Sequence, residues 1–174
     1  MRGWRAAALG ASVALGLLFP SVRLAGADEA DVMFIDEPAR VAFCATLKQL
    51  VAAAPGRFAT VKGSPQERRD GVWKASVSIP GGQDCLVYDG AISAYACDLY
   101  IGDRSDQAAA AYGRTVALLR RCLPPGWTAT ERVDGTRTRT RAAGGSGGPA
   151  VRVVSGLSAG DAYLVDFWVD APDR

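Results

Sequence analysis

The chain has 174 residues, with 20 Lys+Arg against 18 Asp+Glu, 49% hydrophobic and 22% charged residues. That is the composition of one folded domain, or two very small ones, and not of a disordered chain. It contains no histidine, which excludes a Ser-His-Asp triad, a Cys-His dyad, an HExxH zinc site and an imidazole proton shuttle.

Residues 1–27 have the form of a secretory signal peptide. Arg2 and Arg5 supply a positive start, residues 6–19 are uncharged and mainly apolar, and Ala25-Gly26-Ala27 is a small-x-small cleavage site. The apolar run is shorter than the roughly 20 residues a spanning helix needs. The expectation is a periplasmic or secreted protein with no membrane anchor after cleavage. Loss of Arg2, Arg5 and Arg23 leaves 17 basic against 18 acidic residues, so overall charge does not point to nucleic acid.

Residues 28–36 read as a mobile acidic lead-in, and residues 37–174 as a single α+β domain. A first helix is predicted over 37–54, with Phe43, Cys44, Leu47, Leu50 and Val51 at three- and four-residue steps. Pro38 suits its first turn and Pro55-Gly56 its end. Strands are predicted over 58–62, 72–79, 84–88 and 93–101. Trp73, Ala75, Val77 and Ile79 lie inward in the second, and Tyr95, Cys97, Leu99 and Ile101 in the fourth. A second helix over 105–123 takes Asp103 or Ser105 as its cap. Its inner stripe is Ala108, Tyr112, Thr115, Leu119 and Cys122. Strands over 127–133, 150–155 and 162–170 complete the chain.

Helix and strands thus occur twice, in halves of about 37–103 and 104–174. Gly82 with Leu86-Val87 and Gly160 with Leu164-Val165 stand 78 positions apart. The reading is a tandem α-β-β-β repeat, with two helices packed on one face of a mainly antiparallel sheet. This tandem layout, exported and with two disulfides, resembles the β-lactamase inhibitor protein fold. The resemblance covers roughly residues 37–170 as an order of elements, and it carries over no inhibitory loop or partner-contacting residue.

All four cysteines, Cys44, Cys85, Cys97 and Cys122, fall in the part after the leader and read as two disulfides. Cys85 and Cys97 lie symmetrically about residue 91 and come opposite each other if residues 89–93 form a five-residue loop. That leaves Cys44 with Cys122. A tight Asp89-Gly90 turn would favour Cys44–Cys85 with Cys97–Cys122 instead, and the first pairing is preferred. No spacing calls for a metal or cofactor.

Thr136-Arg137-Thr138-Arg139-Thr140-Arg141, followed by a Gly-rich run, reads as an exposed hairpin arm. At strand period Arg137, Arg139 and Arg141 share one face, a ridge suited to phosphate, acidic polysaccharide or an acidic protein surface. Tyr88, Tyr100 and Trp168, with Leu86 and Leu164, are placed on the sheet face away from the helices, where they make an amphipathic binding patch. Asp98, Asp166 and Asp170 are the available carboxylates for a hydrolase or sugar-acting site. The expected function is non-catalytic: binding of another envelope or extracellular protein through Arg137, Arg139, Arg141, Tyr100 and Trp168. The alternatives are a hydrolase using the carboxylates and an anionic-ligand binder using the arginines.

Overall fold

The computed structural model describes residues 36–172. The expected leader over 1–27 and the lead-in over 28–35 lie outside the described residues. The elements are α1 (Glu37–Ala53), β1 (Lys62–Pro65), β2 (Val72–Ala75), β3 (Gln83–Asp89), β4 (Ser93–Gly102), α2 (Ser105–Cys122), β5 (Thr128–Asp134), β6 (Arg137–Ala143), β7 (Ala150–Leu157) and β8 (Tyr163–Asp170). Each half is therefore one helix followed by four strands, one strand more than the predicted unit.

The strands form one eight-stranded sheet in the order β1-β2-β3-β4-β8-β7-β6-β5. Neighbours run antiparallel throughout. Two four-stranded meanders meet at the pairing of β4 with β8. The 78-residue offset therefore set β3 against β8, the third strand of one half against the fourth of the other.

Both helices pack on one face, and the core lies between them and the sheet. From α1 come Phe43, Leu47 and Leu50, and from α2 Ala108, Val116 and Leu119. The sheet contributes Val87, Tyr95, Cys97, Val151, Val153, Val165, Phe167 and Val169. Burying a side chain of this size stabilises by about 1.5–3 kcal/mol. Tyr95 is fully buried, yet its hydroxyl accepts from Ile79 N–H (3.1 Å) and donates to Val77 C=O (3.0 Å). Burial pushes its pKa up to about 12. A polar clasp fastens α2 to the far half of the sheet. Thr140 is fully buried and donates to Glu131 (3.1 Å), and the Tyr112 hydroxyl lies 2.9 Å from Glu131 and 2.7 Å from Thr140.

Several local expectations are corrected. Residues 58–62 are not a strand: Arg57 and Phe58 are left-handed, and a 3-10 turn over Ala59–Val61 leads into β1. The strand begun at Val72 stops at Ala75, and beyond it the backbone of Val77 and Ile79 bonds to the Tyr95 hydroxyl instead of to a neighbouring strand. Neither Asp103 nor Ser105 caps α2, whose cap position is Arg104, without a side-chain cap bond. Residues 137–143 are not a hairpin arm but an interior strand, paired on both sides.

Cys44 is bonded to Cys122 and Cys85 to Cys97, the preferred pairing. The register Val87↔Tyr95 and Leu86↔Ala96 is symmetric about residue 91 and brings Cys85 opposite Cys97. The two bonds close loops separated by 78 and 12 residues. On loop-closure entropy these restrict the unfolded chain by about 4.5 and about 3 kcal/mol. Replacing Cys44 and Cys122 by alanine should therefore cost more stability than replacing Cys85 and Cys97, by about 1.5 kcal/mol in urea titrations. The reverse order would show that native packing around the hairpin, and not loop closure, sets the cost.

Candidate functional site

The sheet face turned away from the helices carries the chemistry, and the register decides its layout. Tyr88 lies on β3 and Trp168 on β8, with β4 between them. Strands two apart are about 10 Å apart, yet the two rings stack at 5.7 Å between centroids with planes 18° apart. They lean together over β4 because its outward residues there are Ala94 and Ala96. The rings cover these alanines, which are 0% and 8% exposed. The Arg152 guanidinium lies 5.1 Å from the Trp168 ring centroid and is held by two bonds of 2.6 Å to Asp170. Trp168 is thus in contact with both a stacked phenol and a fixed cation.

Arg137, Arg139 and Arg141 are all exposed on β6, while Thr140 and Ala142 between and beside them face the core. Arg132 on β5 is paired in register with Arg139, and Arg152 on β7 with Arg141. Arg137 lies across Gly156, where an added Cβ would meet its Cγ at 2.7 Å. Like charges directly opposite one another destabilise a sheet. Here five arginines share three adjacent strands, and among the described residues only Arg152 has a carboxylate partner.

Toward the other half of the same face lies a groove of about 470 Å³, lined by Asp84, Asp98, Asp166, Gln66, Tyr88 and Trp168 among others. Asp98 and Asp166 are register partners across the central seam. Burial, and then the charge of Asp84, push the Asp98 pKa up. Burial, and then Asp98, push Asp166 up against the lowering effect of Arg137. Asp170, expected with them, is instead occupied by Arg152. Among the described residues no group of three or more Cys, Asp and Glu side chains is placed to hold a metal ion.

Tyr100 does not belong to this face. A bulge between Asp98 and Tyr100 shifts the pairing from Asp98↔Asp166 to Tyr100↔Val165. One extra residue reverses the alternation, so Tyr100 packs against the core and accepts from Arg104 N–H at 3.2 Å. The same bulge turns Ile101 outward, 58% exposed, where an inward position was expected. Sequence reasoning had not joined Arg132 and Arg152 to the ridge with a defined geometry, and it left out Asp84. The Gly135-Thr136 pair, a Gly-first two-residue hairpin loop, would have placed β6 beside β5 and with it Arg132 opposite Arg139.

Comparison with protein-family models, curated proteins and solved structures found no match to the chain.

Two outcomes follow from this geometry. Trp168→Ala should cost about 2 kcal/mol, read as a lower melting temperature, because it uncovers Ala94 and Ala96 and unstacks Tyr88. An unchanged melting temperature would show that the rings bury nothing that matters to folding. Asp166 has a folded pKa above its ordinary value, so its ionisation opposes folding; this penalty is full above the raised pKa, falls as pH drops through it, and is gone below the ordinary carboxylate value. Asp166→Asn should therefore raise stability at neutral pH, and the gain over wild type should vanish in acid. Taking the difference from wild type cancels Asp89, Asp106 and Glu37, whose pKa values are held down by basic partners. A loss of stability at neutral pH would mean that the Asp166 carboxylate is fully compensated.

Proposed function

We propose that the chain is an exported, non-catalytic binding protein that docks an acidic protein surface on the outer face of its sheet. The observation that carries this reading is the row of arginines on β5, β6 and β7 beside the Tyr88–Trp168 stack. Arg, Trp and Tyr are the residue types that dominate protein-binding energetics. A planar guanidinium also suits bidentate pairing with a carboxylate. Four of these arginines, Arg132, Arg137, Arg139 and Arg141, have no ion-pair partner among the described residues, so a partner's carboxylates would relieve a repulsion already present in the free protein. The two disulfides support an oxidising compartment, in keeping with a leader over 1–27.

The test is affinity purification from the envelope or secreted fraction, followed by reconstitution with the purified partner. Arg137→Gln/Arg139→Gln/Arg141→Gln should weaken that complex at least about tenfold, since a charge-assisted hydrogen bond contributes about 1.5–3 kcal/mol. Binding should also fall with salt, while the melting temperature holds or rises as repulsion is removed. Salt-sensitive retention on heparin, lost in the triple variant and accompanied by no protein partner, would assign the ridge to an anionic polysaccharide and overturn this reading.

A second reading rests on the groove. Asp98 and Asp166 face each other with raised pKa values beside two aromatic rings, the elements of a carbohydrate-acting site in which one carboxyl stays protonated. It requires that hydrolysis of an oligosaccharide be measurable and be abolished by both Asp98→Asn and Asp166→Asn. Activity surviving either change would discard it.

A further inference from the structure

A second concavity, of about 630 Å³, lies at the end of the sheet where β4 begins and β8 finishes. It shares no lining residue with the groove around Asp98 and Asp166. Its wall includes Arg57, Arg141, Ser93, Asp170, Ile92 and Pro172, and its volume is that of a small-molecule site.

Arg57 is held in place from three directions. Its own backbone and that of Phe58 are both left-handed, at φ 54° and 59°, and non-glycine residues in that region tend to gather at functional sites. The Phe58 side chain is fully buried and anchors the pair. The Arg57 guanidinium donates through Nε to Asp89 (2.6 Å) and through Nη2 to Gly90 C=O (2.8 Å). Of its five N–H donors, the rest have no protein partner among the described residues.

The charge balance of the cleft favours an anion. Asp89 is shared by Arg57 and Lys62, so that cluster keeps one positive charge. Arg152 occupies both oxygens of Asp170 and neutralises it. Arg141 makes no ion pair among the described residues and adds a second positive charge. Ser93 is part of the cleft wall, and its Oγ, which has almost no exposed surface, has no hydrogen-bond partner among the described residues, an unusual condition for a hydroxyl. Beside these donors Pro55, Pro172 and Ile92 form an apolar wall, and Ile92 is 71% exposed.

We propose that this cleft binds a small organic carboxylate, with its head on Arg57 and Arg141, the unpartnered Ser93 Oγ turning to join them, and its apolar body against Ile92 and Pro172. The cleft adjoins the partner-binding face, sharing Arg141 with it and having Asp170, the partner of Arg152, in its wall.

The probe is hexanoate, titrated into the full isotope-labelled protein with backbone amide shifts as the readout. Saturable shifts are expected at Ile92, Ser93 and Ala171. Arg141→Gln should weaken hexanoate about tenfold or more, and hexanamide, of the same shape without the charge, should bind wild type weaker by a similar factor. Ser93→Ala should weaken binding severalfold while leaving the melting temperature unchanged or higher, which a purely structural serine would not do. Lys48→Gln, an exposed charge change on α1, should have no effect. Equal binding of hexanoate and hexanamide, insensitivity to Arg141→Gln, shifts confined to other residues, or inorganic phosphate binding as tightly as hexanoate would each overturn the assignment.

Discussion

Among the described residues, the pairing of β4 with β8 is the only backbone ladder that joins the two four-stranded halves of the sheet. Its register therefore decides which side chains meet on the outer face. Tyr95↔Val169 and Cys97↔Phe167 fill the helix side, and the intervening positions bring Ala96 beside Trp168 and Asp98 beside Asp166. Past Asp98 the bulge reverses the alternation, taking Tyr100 into the core and putting Ile101 into solvent. A slip of one residue in this ladder would bury the aspartates and expose the phenylalanine. The core, the aromatic stack and the acid pair all depend on that one alignment.

Much of the architecture was legible from periodicity. Both helices end within a residue of their predicted limits, since the apolar stripes and the Pro-Gly stops are local signals. The hairpin cysteines were legible because Cys85 and Cys97 share parity about residue 91. Bulges were not legible, because an extra residue in a strand leaves no mark in an alternating pattern until the partner strand is known. That is why Tyr100 was assigned to the wrong face. β6 was read as an arm because its arginines and threonines look solvated. Only burial of Thr140 against Tyr112 and Glu131 shows that a threonine can occupy a core-facing strand position when its hydroxyl is satisfied.

The candidate site was legible in its parts but not in its arrangement. Arg137, Arg139 and Arg141 do share one face, but their opposition to Arg132 and Arg152 is a product of strand order. Asp98, Asp166 and Asp170 were expected as the carboxylates of one site, with Asp170 four positions along the strand from Asp166. The structure pairs Asp166 with Asp98 across the seam and leaves Asp170 to Arg152. Small residues mattered more than expected. Ala94, Ala96 and Gly156 have no motif value in a sequence, yet they make room for the Tyr88–Trp168 stack and for Arg137.

The choice of cation on the outer face has its own consequence. With arginine throughout the ridge and no histidine in the chain, that side stays fully charged over any acidity at which the protein remains folded. Asp98 and Asp166 hold their protons more tightly than usual and are the groups that respond. Acidification would therefore make the face more uniformly positive, turning a surface with two opposing poles into a one-signed field. Any electrostatically steered association there would become tunable from its acidic side alone.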